Sequence, residues 1–318
     1  MNLLPITADA QAATLISTFL SSKGPATREA YRQDLKCFQS YLLKVHQIES
    51  VQRLLSLLPG ELNFAVLGYR DHLVEKAFSP STVNRRLGAV RSLFKLSRLL
   101  GFTSVRIEIS NIKSESYRDT KGPGLPAFKR MLSKAASQSY EKAARDHAIL
   151  RLLFDLALRA SELIELDLCH VEFEQKRVSI KGKGRTQREF LSLPATSIEA
   201  LKRWIAIRGF DAGPLFANLV RATNQRKRLT RTGLYKLIRW LGQQVDVKTR
   251  PHGVRHLSIT EACKAAQNNG FALEEVLDHS RHKSIVTLMI YRDRERDAQG
   301  AISTLVANTI LEDKIDQS

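Results

Sequence analysis

Pro251-His252-Gly253-Val254-Arg255-His256, followed by His282-Lys283-Ser284-Ile285-Val286-Thr287-Leu288-Met289-Ile290-Tyr291, is the sequence that decides how this chain is read. Four of its eight histidines fall between positions 252 and 282, beside an arginine and ahead of a tyrosine. An arginine with histidines can hold and neutralise a phosphate, and a tyrosine hydroxyl can attack one. Fifty Lys and Arg against thirty-two Asp and Glu leave a formal charge of +18. The expected owner of that phosphate is therefore a polyanion, a nucleic acid.

The surrounding composition is that of a globular protein. Its 318 residues suffice for two domains with separate cores, and 43% apolar content argues against general disorder. Charge alone also fits a soluble enzyme with a basic surface. No segment reaches the roughly 20 apolar residues of a membrane span. Met1-Asn2-Leu3-Leu4-Pro5 lacks the basic region and apolar core of a signal peptide. Cys37, Cys169 and Cys263 are odd in number and widely spaced, so they read as small apolar groups in a reducing, cytoplasmic setting.

The first hundred residues read as helices. Tyr31, Leu35, Phe38 and Leu42 recur at helical spacing behind Thr27, an expected N-cap. Ser79-Pro80-Ser81-Thr82 opens another helix, with Val83, Leu87, Val90 and Phe94 on one face. Its other faces carry Arg85, Arg86, Arg91, Lys95 and Arg98 without an acidic residue among them, a pattern suited to phosphate contacts. The apolar period fades from about 104 to 124 and ends in Lys121-Gly122-Pro123-Gly124, the expected linker. A long helix is expected over 143–166, with a break near Arg159. Arg177–Ile180 and Arg188–Leu193 alternate as strands around Lys181-Gly182-Lys183-Gly184, predicting a hairpin. Helices resume over 196–208, 230–245 and 255–266.

Missing motifs narrow the chemistry. There is no GxxxxGK[ST] loop, no HExxH and no tight acidic cluster for paired magnesium ions. Chemistry on nucleic acid then requires several protein cations aimed at one phosphate and an internal nucleophile.

Leu158-Arg159-Ala160-Ser161-Glu162-Leu163, Gly182-Lys183-Gly184, His252-Gly253-Val254-Arg255-His256, and His282-Lys283-Ser284-Ile285 with Tyr291 nine positions after His282 together resemble the tyrosine recombinase (lambda-integrase-like) family. Order and spacing match across 125–295. The resemblance implies a mainly helical protein with a small β-sheet. A SAM-like core-binding domain (1–105) and a linker (106–124) would precede a mixed α/β catalytic domain with a C-terminal tail helix (125–318).

It also implies roles. Arg159 and Arg255 would donate paired hydrogen bonds to the scissile phosphate, with Glu162 as a supporting carboxylate. Lys183 would protonate the leaving 5′ oxygen, with Lys181 a rival on the same hairpin. His252 would accept or orient the Tyr291 proton, and His282 would be a further phosphate donor. Tyr291 would form a covalent 3′-phosphotyrosine, with no metal and no cofactor. His256 and His279 read as background. Two positions depart from the family: Leu156-Ala157 stands where Thr-Gly is usual, and Arg281 where glycine is usual. Arg281 would then be either strained or one more phosphate contact.

The implied activity is site-specific DNA strand exchange of a prokaryotic, mobile-element type; DNA integration is one task it would cover, with excision, inversion and dimer resolution equally open. The partner would be double-stranded DNA carrying a specific site. A monomer or dimer would assemble into a homo-tetramer on two paired sites. Two domains suit a clamp, with the catalytic domain contacting phosphates through Arg221, Arg226, Lys227, Arg228 and Arg231. Ile302, Leu305, Val306 and Ile310 fall at helical spacing and suit a tail that docks either on a neighbouring protomer or on its own domain. Three other readings stay open. They are a type IB topoisomerase-like nicking-closing enzyme, a DNA-binding regulator on the same scaffold, and a histidine-bound metallohydrolase.

Overall fold

The computed structural model describes residues 8–113, 122–182, 187–219, 227–282, 285–288, 303–304 and 306–308. The chain divides into two compact units, 1–117 and 118–318.

The first unit is helical: α1 (Ala8–Ser21), α2 (Pro25–His46), α3 (Val51–Leu55), α4 (Pro59–Glu75) and α5 (Pro80–Leu99). α2 starts earlier than expected, because Pro25 is preset for a first helical position and Gly24 precedes it in extended geometry. Thr27 therefore lies inside the first turn and caps nothing. Ser79 does cap α5, its hydroxyl accepting the Thr82 N–H. Val83, Leu87, Val90 and Phe94 line one stripe of α5 and are fully buried against Phe38, Leu42, Leu62 and Tyr69.

The chain after α5 stays with this unit. Val105 and Ile107 are buried in the same core, and Ile109 and Ile112 pack on it. Asn84 bonds the backbone of Ile112 from both ends of its amide, at 3.0 and 2.9 Å. Arg91 donates to the Ile109 carbonyl at 2.8 Å. The early part of the expected linker is thus an extended strap, and 114–121 lie outside the described residues.

The second unit begins with α6 (Leu125–Ala136) and α7 (Tyr140–Asp155). The long apolar period continues past α7, but the helix stops at Asp155. Ala157 takes a left-handed conformation (φ 45°), and Arg159 restarts the chain into α8 (Ala160–Ile164). Strands β1 (Val171–Glu172), β2 (Arg177–Lys181) and β3 (Arg188–Ser192) form one antiparallel sheet in that order, with Arg177 opposite Ser192 and Lys181 opposite Arg188. α9 (Ala195–Arg208), α10 (Arg231–Gln243), α11 (Pro251–Asn268), α12 (Leu273–Ser280) and α13 (Ile285–Leu288) follow. The protein is mainly helical with one small sheet, as expected.

The core of this unit joins Phe128, Ile149, Leu153, Trp204 and Ile238, and Trp204 Nε1 donates to the Leu215 carbonyl at 2.8 Å. Gly122 lies on the first turns of α11. A Cβ there would meet the Gly253 carbonyl at 2.6 Å, so only glycine permits this approach. Ala157, Ile259, Cys263, Val276 and Leu288 form a second cluster that fixes α11, α12, α13 and the 156–158 turn to one another. No helix among the described residues is long and apolar enough to cross a membrane. Of the tail positions, Ile302, Leu305 and Ile310 lie outside the described residues, and Val306 is exposed.

Candidate active site

The site is assembled where three breaks in helical structure meet: the 156–158 turn, the start of α11, and the end of α12. Arg159 stands at the N-cap of α8. Its own N–H donates to Glu162 Oε2 at 2.8 Å, while Nη1 donates to Oε1 at 2.6 Å. The Glu162 side chain is fully buried, whereas Arg159 keeps 27% of its side chain exposed. Burial alone would raise the Glu162 pKa, but Arg281, the Arg159 N–H and the Arg159 guanidinium reverse that and hold it below the ordinary value.

Arg255, one turn into α11, is 1% exposed. Its Nη1 donates to the Ala157 carbonyl and its Nη2 to the Ser280 carbonyl. It is therefore a buried tie between the first and last segments of the site, and Arg159 is the more accessible of the two guanidinium groups.

His252 is the exposed residue of the first turn of α11, where Pro251, Gly253 and Val254 are buried. Packing around its ring, then the charges of Arg255, Arg250 and Arg159, lower its pKa below 6.5. His282 follows α12 and is half-buried. Desolvation, then Arg255, Arg159, His252 and Arg281, push it down to about 4. Both imidazoles are thus neutral at pH 7, and both feel the same two arginines. The expected residues Arg159, Glu162, His252, Arg255 and His282 come together although more than 120 positions separate the first from the last.

His256 and His279 bond within the protein. His256 Nδ1 lies 3.4 Å from Thr260 Oγ1, and burial and His252 hold its pKa at about 4. His279 Nε2 lies 3.2 Å from Ser258 Oγ.

Lys181 ends β2 with an exposed side chain, while Lys183 and Tyr291 lie outside the described residues. α13, anchored by buried Leu288, ends three residues before Tyr291.

The basic residues divide. On α5, Lys95 and Arg98 are exposed. Arg85 and Arg86 pair with buried Asp34 of α2, and Arg86 also stacks on Phe78 at 4.2 Å. Arg91 holds the 109–111 strap. In the second unit Lys227 and Arg231 are exposed. Arg228 instead donates to the carbonyls of Ile164 and Leu166, at 2.9 and 3.1 Å, and pairs with Asp167. Arg221 and Arg226 lie outside the described residues.

Arg281, expected to be strained or a phosphate contact, does have a left-handed backbone (φ 53°), but its buried ion pair was missed. Arg281 is 6% exposed and ion-paired to Glu162 at 3.0 Å. A cleft of about 610 Å³ opens beside it, lined by Glu189, Phe190, Ser192, His279 and His282. The one signal for Arg281 was its unusual place in the motif; bonds to partners some 120 positions away follow no sequence period.

The chain matches the phage integrase family over residues 128–297. It belongs to that family, the tyrosine recombinases. It is 32% identical over 296 residues to the tyrosine recombinase slr0733 of Synechocystis sp., covering 91% of this chain and 92% of that protein. The tyrosine recombinase Synpcc7942_B2651 of Synechococcus elongatus is also 32% identical, over 91% of each. Among solved structures, the XerH site-specific recombinase bound to difH substrate shares the fold. The TM-score is 0.64, with 20% identity, 93% of this chain and 84% of that one. As a tyrosine recombinase the protein is an enzyme of site-specific recombination, and the site above lies within the matched region.

Proposed function

We propose that this recombinase cleaves and rejoins DNA through a covalent 3′-phosphotyrosine on Tyr291, without metal or ATP. The observation that carries the proposal is the convergence of His252 and His282 on the guanidinium groups of Arg159 and Arg255, with Arg159 held in place by the anionic Glu162. Arg159, with Arg255 behind it, gathers the non-bridging oxygens of the scissile phosphate, and His282 adds a neutral N–H donor. A phenol with a pKa of about 10 needs a base near neutral pH. His252, neutral and exposed, suits that role.

The Tyr291 hydroxyl attacks phosphorus, its proton passes to His252, and the bond to the 5′ oxygen breaks with its electrons on that oxygen. Lys183, or Lys181, returns a proton there. The 5′-hydroxyl of a partner strand then attacks the phosphotyrosine and releases the phenol. The phosphodiester energy stays in the covalent bond, so no nucleotide is consumed.

The solved XerH structure contains difH substrate, and a Tn1549 transposon integrase of the same fold contains circular intermediate DNA (TM-score 0.64, 13% identity). We infer a double-stranded DNA partner with a specific site, a helical DNA-binding domain in the first unit and a catalytic domain in the second. Lys95, Arg98, Lys227 and Arg231 have the exposure that phosphate contacts need. Arg85 offers part of its surface, and Arg86, Arg91 and Arg228 serve the fold first. Assembly is a homo-tetramer on two paired sites.

A nicked duplex, selected from random sequence by the full-length enzyme, tests this in EDTA without ATP. The expected product is a protein–DNA adduct that withstands denaturant, and exchange between two such duplexes. Binding without an adduct would support a regulator, relaxation of supercoils by a monomer without exchange a topoisomerase, and chelator-sensitive cleavage a metallohydrolase.

A further inference from the structure

Arg281 has the backbone of a glycine and the side chain of a buried clamp. It ends α12 at φ 53°, a region that disfavours any residue with a Cβ. A side chain kept at such a position needs a reason, and its contacts supply one. Nη1 donates to the Leu156 carbonyl at 2.9 Å and to the His279 carbonyl at 3.1 Å. Nη2 donates to the Ala157 carbonyl at 2.9 Å and to Glu162 Oε2 at 3.0 Å. Its own carbonyl accepts Nη2 of Arg159 at 3.0 Å.

All of these bonds but the one to His279, two positions away, join parts of the site that are remote in sequence. The Ala157 carbonyl is shared by Arg281 and Arg255, which ties α11 to the same turn. Glu162 Oε2 is shared by Arg281 and the Arg159 N–H, which fixes the base of Arg159. The guanidinium of Arg159 is thus held on one side by Glu162 and on the other by the Arg281 carbonyl. With 6% of its side chain exposed and its fork spent on protein oxygens, Arg281 is badly placed to contact phosphate itself.

We propose that Arg281 is a positioning residue: it locks the 156–162 turn to the 279–282 loop, so that Arg159 and His282, braced by the buried Arg255, meet the phosphate in one fixed geometry. This rests on the strand-cleaving reading above. Preorganised donors require no rearrangement as charge develops on the phosphate, and misplacement by about 1 Å can cost about 100-fold in rate. A lysine cannot replace the fork, because one ammonium does not span carbonyls on both sides of the turn and the carboxylate.

The test uses full-length Arg281→Gly and Arg281→Lys on the nicked duplex selected by the wild-type enzyme. Glycine removes the clamp and suits the left-handed backbone. We expect Arg281→Gly to form adduct about 100-fold more slowly, with duplex affinity unchanged within about threefold because no phosphate contact is lost. Millimolar guanidinium ion should restore part of the rate in Arg281→Gly and none in Arg281→Lys. In the same proteins, labelled for histidine NMR, the His282 ring should titrate above its wild-type midpoint in Arg281→Gly.

Adduct formation at the wild-type rate in Arg281→Gly overturns the proposal. So does an equal loss of rate and affinity without guanidinium rescue. If Arg281→Gly fails to fold, Arg281→Lys decides: a wild-type cleavage rate overturns the lock, and slow cleavage with retained affinity supports it. A wild-type enzyme that forms no adduct instead defeats the strand-cleaving reading, and the His282 midpoint in Arg281→Lys, which keeps the positive charge, still decides: a shifted midpoint supports the lock and an unchanged one overturns it.

Discussion

Each unit of this protein buries one carboxylate between two arginines, and the two carboxylates behave oppositely. Asp34 in the first unit is 1% exposed and faces Arg85 and Arg86, yet its pKa lies above the ordinary value because desolvation outweighs both cations. Glu162 in the second unit is equally buried and faces Arg159 and Arg281, yet its pKa lies below the ordinary value. The surroundings explain the difference. Arg85 is 44% exposed and Arg86 reaches only to 3.7 Å, so much of their field is screened by water. Glu162 has a distinct donor for each oxygen, a backbone N–H besides, and Arg281 almost fully dry. Burial by itself does not make a carboxylate a stable anion; the number and fixity of its donors do.

This comparison can be broken by mutation. The largest effect should come from Glu162→Ala, which strands the buried Arg281 charge and should cost about 3–5 kcal/mol in urea unfolding. Glu162→Gln should lose less, and its deficit should depend on pH. A carboxylate whose folded pKa is depressed contributes stability above its unfolded value of 4.5, and that stability is lost as pH falls through the lower folded value. The gap between wild type and Glu162→Gln should therefore narrow under acid conditions.

Asp34→Asn should change stability at pH 7 by only about 1 kcal/mol, in either direction, because ionising this carboxyl brings little net gain. Its pH trend should be reversed. A raised folded pKa gives stability that is present below 3.8 and lost as pH rises through the folded value. If Asp34→Asn proves as damaging as Glu162→Gln, the contrast between the two carboxylates collapses.

The smallest effect on stability should come from Lys95→Ala and Arg98→Ala, within about 0.5 kcal/mol for exposed sites. Each should lower the salt dependence of duplex binding by about one unit of slope. An unchanged slope would remove α5 from the DNA interface.

Helix positions were legible because the apolar stripe of α5 and the hairpin around Lys181 follow simple periods. The break before Arg159 was legible as a place and not as a cause: only the structure shows a left-handed Ala157 braced by Arg255 and Arg281. The charged face of α5 misled in part. No acid lies among its basic residues, so they read as uncompensated, but Asp34 approaches from α2 some 50 positions earlier. Likewise Arg228 looked like one of a surface cluster and instead bonds the carbonyls of Ile164 and Leu166. The motif located Arg159, His252, Arg255 and His282 as a set. It singled out Arg281 as a strained backbone position or a phosphate contact; the left-handed backbone is there, but the bonds of its side chain arise wholly from tertiary geometry.

The proposed chemistry turns on one oxygen atom, the Tyr291 hydroxyl. Mass spectrometry of the peptide left on DNA after proteolysis of the trapped adduct reads it directly. The expected result is a 3′-phosphate joined to Tyr291, and no adduct from Tyr291→Phe although that variant still binds the duplex. DNA joined to any other residue, or an adduct that survives Tyr291→Phe, would contradict it.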